Sequence, residues 1–328
     1  MNPKPNILVA GGAGYIGSHA VRDLHAAGFN PITVDNLSKG HKEAVVCGEL
    51  LEGDLKDPDF LDQVFEKYPV QGVMHFASKC YVGESMDDPA SYYEENLSSA
   101  LTLLKAMLRN KVNNFIFSSS CATYGNPIKL PLQETHPQDP VNPYGETKYF
   151  IERILRHYDR AYGLRFCALR YFNASGASLD SRIGESHDPE THLIPRVLGT
   201  VTGQYEKIQV FGDDYPTPDG TCLRDYIHVC DLASAHRKAL LWISENDASE
   251  AFNLGTGTAY SVREILESAS RITGADIPVE TSPRRPGDPP ELVADPEKAR
   301  IMLNWTPEYS DLDTIMESAW DWERNRAY

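Results

Sequence analysis

The chain has 328 residues, 41% of them hydrophobic and 24% charged, and its formal net charge is −16. This length exceeds what one hydrophobic core usually serves, so it predicts two domains. The strong negative charge argues against nucleic acid or an anionic membrane as a partner. The chain has no run of 18 apolar residues and no signal-peptide pattern at its start, from which we expect a cytoplasmic protein.

The first residues form a pattern of strand, glycine turn and helix. Ile7–Val9 is a compact apolar run suited to a buried strand, and Tyr15–Ala27 repeats apolar residues at helical spacing. Between them, Gly11, Gly14 and Gly17 stand where a tight turn needs no side chain. Such a turn lets a pyrophosphate approach the free N–H groups of the helix start, so it predicts a dinucleotide site.

A second strand, Pro31–Asp35, ends in an acid that is placed to accept the ribose hydroxyls of an adenosine. A carboxylate at this position repels a 2′-phosphate, so the pattern favours NAD over NADP. A glycine turn without any ligand is the alternative. The complete context of strand, turn, helix and acid favours the cofactor.

Strands and helices then alternate as far as Tyr171, which predicts an α/β fold with a parallel, doubly wound (Rossmann-type) sheet. Ligands of such folds bind at the carboxyl ends of the strands, where Asp54 and Leu55 are expected to cap the adenine. The predicted strands are Glu49–Glu52, Gly72–Phe76, Asn114–Ser118 and Arg165–Tyr171, and the predicted helices are Pro58–Tyr68, Pro89–Arg109 and Tyr144–Tyr162.

The two helices Pro89–Arg109 and Tyr144–Tyr162 are apolar over more of their circumference than one sheet face requires. They therefore need a second partner surface. The residues that indicate this surplus are Tyr92, Tyr93, Leu97, Leu101, Leu104, Ile151, Ile154, Leu155 and Tyr158.

From Phe172 onward the pattern loosens into segments rich in Pro, Gly and Asp, which predicts a smaller mixed α/β domain. We place a NAD-binding domain at residues 1–173 and a substrate domain at residues 174–328. Two later strands, Leu223–Val229 and Ala251–Leu254, are candidates to return to the first sheet. The helices predicted in this part are Leu193–Thr202, Asp231–Ile243, Ser261–Thr273 and Asp311–Arg326.

The six cysteines show no C-x-x-C or zinc-site spacing, and the ten histidines form no H-E-x-x-H motif or cluster. The sequence therefore predicts reduced thiols and no metal site.

Tyr144 and Lys148 lie one helical turn apart on the same face, and Tyr144 is the only one of the 17 tyrosines with a lysine four residues later. A tyrosine that acts as a base near neutral pH needs its pKa lowered by about three units. A neighbouring lysine and the positive nicotinamide of oxidised NAD can supply that change. A solvated helix face is the alternative, but the preceding Ser118–Ser120 at a strand end favours catalysis.

The glycine spacing G-x-x-G-x-x-G together with Ser120, Tyr144 and Lys148 resembles the extended short-chain dehydrogenase/reductase superfamily and its Ser/Tyr/Lys triad. Three later segments resemble the UDP-glucose (UDP-galactose) 4-epimerases, and the resemblance runs from Ile7 to about Trp322. These segments are Leu169–Asn173, Phe211–Thr221 and Arg224–Val229.

This resemblance implies interconversion of UDP-galactose and UDP-glucose through a transient 4-keto sugar, with tightly bound NAD and a homodimer. The implied catalytic residues are Tyr144, Lys148 and Ser120. The implied cofactor contacts are Gly11, Gly14, Tyr15, Ile16, Gly17, Asp35, Asn36, Asp54, Leu55, Phe76, Ala77, Lys79, Asn96, Ser118, Tyr144, Lys148 and Tyr171. The implied UDP-hexose contacts are Ser120, Tyr144, Asn173, His192, Leu193, Phe211, Arg224, Tyr226, Arg285, Asp288 and Leu292.

The sequence departs from the best-known epimerases at three places. Cys80 stands where many of them carry a lysine beside the cofactor phosphates, and Lys79 is one position earlier. His192 stands where some members have an asparagine near the sugar, and Leu292 occupies a position that borders the substituent at C2 of the sugar.

Other functions are disfavoured by particular residues. Nucleotide-sugar 4,6-dehydratases resemble one another in having an Asp-Glu pair directly after the Ser or Thr of the triad. This chain has Cys121 and Ala122 at those two positions, which disfavours the elimination of water. The related decarboxylases expect a glutamate at the second place. A non-catalytic NAD-binding protein would be expected to have lost Tyr144 or Lys148. An epimerase that acts mainly on UDP-N-acetylglucosamine or a UDP-pentose remains an alternative.

Overall fold

A seven-stranded parallel sheet forms the centre of the computed structural model, which describes residues 4–285 and 288–328. The strands, in chain order, are β1 (Asn6–Ala10), β2 (Asn30–Asp35), β3 (Glu49–Glu52), β4 (Val70–His75), β5 (Asn114–Ser120), β6 (Arg165–Tyr171), β7 (Asn173–Ser175), β8 (Ile208–Phe211), β9 (Leu223–His228), β10 (Glu250–Leu254), β11 (Ala259–Ser261), β12 (Val279–Ser282) and β13 (Glu291–Leu292). The helices are α1 (Tyr15–Ala26), α2 (Pro58–Lys67), α3 (Val82–Asp87), α4 (Pro89–Arg109), α5 (Pro143–Tyr162), α6 (Leu193–Val201), α7 (Val229–Asn246), α8 (Val262–Thr273), α9 (Glu297–Met302) and α10 (Leu312–Arg324).

The strand order of the central sheet is β10-β6-β5-β4-β1-β2-β3, and every neighbouring pair is parallel. The chain runs outward in one direction from β1 to β3 and in the other from β4 to β6, so the direction reverses between β1 and β4. A crevice for ligands opens at such a reversal, at the carboxyl ends of the strands. The predicted doubly wound sheet is confirmed.

Each face of the sheet is covered by its own layer of helices. Helices α2, α4 and α5 pack on one face, where buried residues such as Leu61, Leu103 and Ile151 meet Phe115. Helices α1, α7 and α9 cover the other face. Within the described residues, no helix combines the length and the apolar character that crossing a membrane requires.

The later part of the chain builds a smaller unit with its own sheet. Strand β9 lies between β11 and β13 and also pairs with β7, and β8 pairs with β12. Helices α6, α8 and α10 enclose a second core, in which Ile194, Ile265 and Ile315 are buried.

The predicted return of Ala251–Leu254 to the first sheet is confirmed, because β10 forms the edge of that sheet beside β6. The same prediction for Leu223–Val229 is wrong, because β9 belongs to the smaller sheet. The helix expected at Asp231–Ile243 forms as α7, but it packs on the central sheet through Leu232 and Leu240. The division of the chain into residues 1–173 and 174–328 stays a prediction.

Helix α5 has clear local start and stop signals. The side chain of Asn142 accepts a hydrogen bond from the backbone N–H of Gly145 at 2.8 Å, and Pro143 is the first helical residue. The helix ends at Gly163, which adopts a left-handed conformation with φ of +71°. These signals fix where along the helix Tyr144 and Lys148 stand.

A buried ion pair then fixes α5 against the sheet. Arg170 on β6 donates to both carboxylate oxygens of Glu152 on α5, at 2.9 and 2.6 Å, and the Ser119 hydroxyl on β5 donates to the same carboxylate at 2.7 Å. Both ionic side chains are nearly inaccessible to solvent. Burial alone would raise the pKa of Glu152, but hydrogen bonding and the charge of Arg170 lower it below its usual 4.5.

Replacing Glu152 with glutamine should lower the melting temperature at pH 7 by about 5 °C or more. The variant leaves Arg170 buried without its counter-charge, which typically costs roughly 3–5 kcal/mol. The stabilisation by Glu152 is fully present above pH 4.5 and is lost as the pH falls through the lower pKa of the folded state. The difference from wild type should therefore shrink in acid.

A matched control is Asp62→Asn, which removes the exposed ion pair between Asp62 and Arg109. Exposed pairs contribute at most about 1 kcal/mol, so this variant should melt within about 2 °C of wild type. Equal melting temperatures for Glu152→Gln and Asp62→Asn would contradict the anchoring role of the buried pair.

Candidate active site

The glycine turn after β1 packs directly against the chain that leaves β4. Gly11 has φ of +79°, and a Cβ atom there would lie 2.4 Å from the backbone nitrogen of Ala77. A Cβ atom on Gly17 would lie 2.1 Å from the carbonyl oxygen of Gly11. Both contacts are shorter than any real Cβ contact, so only glycine allows this close approach.

Helix α1 begins directly behind this turn, with Tyr15 and Ile16 in its first turn. Its N-cap is Gly14, which offers no side chain to cap the helix, and the first turn carries no acidic residue. The N–H groups of the first helical turn lack partners within the helix and carry the positive end of the helix dipole. The turn and the helix start therefore form a cradle that fits the pyrophosphate of a dinucleotide.

Asp35 lies at the carboxyl end of β2, beside this cradle. Its carboxylate accepts hydrogen bonds from the backbone N–H groups of Ala13 at 3.0 Å and Leu37 at 2.9 Å. Burial raises the pKa of Asp35, and these two hydrogen bonds act in the opposite direction. Asn36 follows directly, and its side chain accepts from the N–H of Ser38 at 3.1 Å.

The adenine end of the expected site follows β3. Leu55 is 5% exposed, and Asp54 accepts from the N–H of Lys56 at 2.8 Å. The structure thus places both residues at the carboxyl edge of the sheet, next to the strand that carries Asp35.

The segment after β4 is held to helix α5 through Asn96. Its amide accepts from the N–H of Lys79 at 2.8 Å and donates to the hydroxyl of Thr147 on α5 at 3.0 Å. The Lys79 ammonium lies 3.3 Å from Glu84 and 3.0 Å from Ser91. These partners compete with a phosphate for Lys79. Its role in place of the lysine that many epimerases have where this chain has Cys80 therefore stays a prediction.

The first two residues after β4, Phe76 and Ala77, both donate backbone hydrogen bonds to the carbonyl of Ala10 at the end of β1.

The three predicted catalytic residues come together where β5 ends and α5 begins. The Lys148 ammonium donates to the carbonyl of Ser118 at 2.8 Å and lies 5.7 Å from the ring centroid of Tyr144. Ser120 and Tyr144 are both more than nine-tenths buried, and the Ser120 hydroxyl accepts from the backbone N–H of Ala122 at 3.1 Å. Tyr171 completes the cluster, with its hydroxyl 2.5 Å from that of Ser118.

Burial dominates the protonation of these groups. It raises the pKa of Tyr144 well above its usual value, and among the main influences only the Ser120 side chain acts in the opposite direction. Burial also lowers the pKa of Lys148 to about 8. The sequence argument expected Lys148 to lower the pKa of Tyr144, but in the protein itself burial outweighs that nearby ammonium.

The residues expected at the UDP-sugar gather around β9 and its neighbours. Asn173 on β7 donates to the carbonyl of Asp225 at 3.0 Å and pairs in register with Tyr226. Arg224 forms an ion pair with Asp288, and the backbone of Leu292 lies in register with Arg224. 

Two further pairs complete this region. The Arg285 guanidinium covers the ring of Phe211 at 3.9 Å from its centroid. His192 is the N-cap of α6, Leu193 is its first residue, and the ring of His192 lies 6.3 Å from that of Tyr81.

Two features of the structure escaped the sequence analysis. The first is the Glu152–Arg170 pair, for which an arginine inside a predicted buried strand was the available signal. The second is a cluster of two histidines and two glutamates in the loop before α6. The statement that the histidines form no cluster is therefore wrong, because His187 and His192 meet through the folding of that loop.

A cleft of about 320 Å³, to whose lining Arg170 contributes, lies between the second half of α5 and the edge strand β10. Glu134, Arg156, Arg160, Glu250 and Lys298 are among its lining residues. None of the predicted site residues lines it, so the catalytic geometry and not cleft size identifies the site.

Comparison with known proteins agrees with this geometry. A family model described as the NAD dependent epimerase/dehydratase family matches residues 7–255. The UDP-glucose 4-epimerase of Halalkalibacterium halodurans is 48% identical over 98% of this chain and 96% of its own length. 

Solved structures agree as well. The UDP-glucose 4-epimerase of Brucella ovis in complex with NAD is 52% identical, with a TM-score of 0.95 over 96% of this chain and 97% of that one. The enzyme of Bifidobacterium longum in complex with NAD+ and UDP is 37% identical, with a TM-score of 0.92 over 98% of each chain. This chain therefore belongs to the NAD dependent epimerase/dehydratase family and, within it, to the UDP-glucose 4-epimerases.

Proposed function

We propose that this protein interconverts UDP-galactose and UDP-glucose through a transient 4-keto sugar, with NAD as a tightly bound cofactor. The observation that carries the proposal is the buried cluster of Ser120, Tyr144 and Lys148 at the carboxyl edge of a dinucleotide-binding sheet. The printed function of the similar proteins, among them the Brucella ovis enzyme in complex with NAD, supports it.

The residues of the first half of the chain fit NAD. The glycine turn and the first turn of α1 would hold the pyrophosphate, and Asp35 would hold the adenosine ribose. Lys148 and Tyr171, which both contact Ser118, would lie at the nicotinamide end. The chemistry that NAD would supply when bound there is reversible hydride transfer at C4 of the sugar.

Tyr144 is the group that exchanges the proton of the C4 hydroxyl. Its phenol is buried, and Ser120 is proposed to position the hydroxyl of the sugar or to relay its proton. Burial favours the neutral phenol, whereas only the ionised phenolate can accept a proton. Tyr144 therefore acts as a base only when a positive charge close to it stabilises the phenolate. Lys148, held by the carbonyl of Ser118, supplies part of that charge while its own ammonium is protonated.

We further propose that Arg224 and Arg285 bind the diphosphate of the UDP-sugar, that Asp288 holds its ribose and that Phe211 covers its uracil. Planar guanidinium groups bind diphosphates in a bidentate manner, which suits this pair. Arg224 already meets Asp288, and Arg285 already covers Phe211. The two pairs are linked through the backbone, because the N–H of Asp288 donates to the carbonyl of Arg285 at 3.3 Å.

The dehydratase alternative lacks support at the residues that would have to carry it. Elimination of water needs an acid/base pair after the catalytic Ser or Thr. Burial raises the pKa of the Cys121 thiol to about 12, and Ala122 has no titratable group. Neither residue exchanges protons near neutral pH.

Replacing Tyr144 with phenylalanine should leave the fold and the bound NAD unchanged but lower kcat at least about a hundredfold, the lower end for loss of a general acid/base. The matched control is Tyr149→Phe, which removes a phenol from the same helix outside the cluster. Turnover and bound NAD are measured on both purified variants. Near-normal turnover of Tyr144→Phe, or an equal loss in Tyr149→Phe, would contradict the assignment.

We propose a cytoplasmic homodimer. All six cysteines are free thiols, which suits a reducing compartment. Helices α4 and α5 pack side by side and keep half-buried apolar residues on their outer surface, where the rings of Tyr93 and Phe150 lie 6.4 Å apart. Four residues counted toward this surface from the sequence are instead buried within the chain. They are Tyr92, Leu104, Ile151 and Leu155.

Two copies that pair through α4 and α5 would form a four-helix layer. Leu101→Asp on α4 should convert the dimer into a monomer in sedimentation velocity at micromolar concentration, because a charge is costly inside an apolar interface. The control Ile301→Asp changes a side chain that is 71% exposed on α9 and should remain dimeric. A monomeric wild type, or a dimeric Leu101→Asp, would refute this arrangement.

The sugar range is proposed to depend on Leu292. Its side chain packs, together with Cys121, against the cluster that contains Tyr124 and Phe172. Cys121 directly follows the proposed catalytic residue Ser120. Leucine is intermediate in volume and flexible, so an acetamido group at C2 of the sugar should be tolerated in part. We expect UDP-glucose and UDP-galactose to be preferred, with weaker turnover of UDP-N-acetylglucosamine.

The substitution Leu292→Tyr should lower kcat/KM for the N-acetylated pair and leave that for UDP-galactose and UDP-glucose nearly unchanged. Leu292→Met keeps the side-chain volume and serves as the control with little effect on either pair. Equal losses on both pairs, or a wild type that prefers N-acetylated sugars, would show that another residue selects the substrate.

A further inference from the structure

Four potential metal ligands converge in the loop between β7 and α6. Within the eight residues Glu185–His192, two carboxylates and two imidazoles place one ligand atom each within 4.8 Å of one another. The Nδ1 atom of His192 lies 2.8 Å from Glu185 and 2.9 Å from Glu190, and that of His187 lies 3.3 Å from each carboxylate. The carboxylates are buried, with side-chain exposures of 8% and 4%.

These distances match the dimensions of a small tetrahedral site. Zinc bonds of about 2.0–2.2 Å to nitrogen and oxygen give a tetrahedron with edges of about 3.3–3.6 Å. The four nitrogen–oxygen distances, in which His187 meets Oε2 of Glu190 and His192 meets Oε1, lie within about half an ångström of the shorter edge. The ligand atoms all lie within 4.8 Å of one another, so the more distant pairs shorten by about 1.5 Å at most when an ion binds. We propose that Glu185, His187, Glu190 and His192 bind one Zn²⁺ ion, which fixes the loop before α6.

The contact pattern fits a central cation better than hydrogen bonds alone. Each Nδ1 atom approaches both carboxylates, so a single N–H hydrogen would have to be shared between two acceptors. A cation between the four atoms contacts all of them at once. Imidazole and carboxylate together suit Zn²⁺, whereas Mg²⁺ and Ca²⁺ prefer oxygen ligands throughout.

Bonds around the cluster hold its ligands in place before any ion arrives. One Glu190 oxygen accepts from the backbone N–H groups of Thr191 and His192, both at 2.8 Å. The indole of Trp322 donates to the carbonyl of Glu185 at 2.8 Å. Such supporting contacts orient metal ligands and raise affinity. The half-exposed side chain of His192 provides the entry path.

The position of the cluster suggests what the ion stabilises. Lys39 donates to the carbonyl of Asp188 at 2.5 Å, and the ring of His41 lies 3.2 Å from the carbonyl of Ser186. Tyr81, from the segment after β4, packs edge-on against His187. The loop thus joins the cofactor half of the chain to α6. Four protein ligands leave no open position, which makes this a structural zinc site.

The test uses the full-length protein, treated with EDTA, dialysed against zinc sulfate and passed through a desalting column before elemental analysis. Wild type should retain about one Zn²⁺ per chain, and added zinc should raise its melting temperature by about 3 °C or more. The variant Glu185→Gln/Glu190→Gln keeps the shape and most hydrogen bonds of both side chains but should retain less than about a tenth of that zinc. The control His25→Gln/Glu267→Gln changes exposed residues of the same types and should bind as wild type does.

A second pair of variants serves if the double glutamine variant does not fold. His187→Ala should lose the zinc, and His187→Cys, which supplies another zinc ligand, should retain it. The proposal is overturned if wild type retains less than about a tenth of an equivalent, which would leave only ion pairs in the loop. It is also overturned if the ligand variants retain as much zinc as the control, or if magnesium chloride alone stabilises wild type as much as zinc does.

Discussion

A single buried carboxylate, that of Glu152, determines how the catalytic helix meets the sheet. It accepts hydrogen bonds from Arg170 on β6 and Ser119 on β5, so three elements meet at one charge. Ser119 is the neighbour of Ser120, and Glu152 lies one helical turn after Lys148. The Glu152–Arg170 pair therefore helps to fix the distance between Ser120 on β5 and the residues Tyr144 and Lys148 on α5. Buried ion pairs often contribute little net stability, but they define geometry, because misplacing either partner leaves a charge without compensation.

The second constraint is the dry environment of the phenol. Burial raises the pKa of Tyr144 and lowers that of Lys148, so both groups disfavour their charged forms in the protein itself. The proposed proton transfer at Tyr144 depends on nearby positive charge, so it would be coupled to occupation of the cofactor site. This coupling suits a reaction in which the cofactor stays bound and is restored in every turnover.

Much of the fold and site could be predicted because the determinants are local in sequence. The glycine turn between Gly11 and Gly17, the acid at the end of β2 and the capping signals of α5 are each contained in a few residues. The resemblance of the segments around Arg224 to the epimerase family indicated the UDP-sugar residues, whose contacts stay a prediction.

The features that escaped prediction depend on contacts between distant parts of the chain. The placement of α7 on the central sheet follows from its packing, and the Arg170–Glu152 pair joins two elements that no local pattern connects. His187 and His192 meet because the loop before α6 turns back on itself, and their spacing matches none of the common metal motifs.

The central claim is that the C4 hydrogen of the sugar leaves and returns without contact with water, while Tyr144 exchanges only the hydroxyl proton. The most direct measurement supplies UDP-galactose that carries deuterium at C4 and follows the label in the UDP-glucose product by mass spectrometry. The account predicts that the deuterium is retained in full at C4, in ordinary water, through many turnovers. Loss of the label to solvent would mean that the hydrogen leaves as a proton, and it would contradict the mechanism.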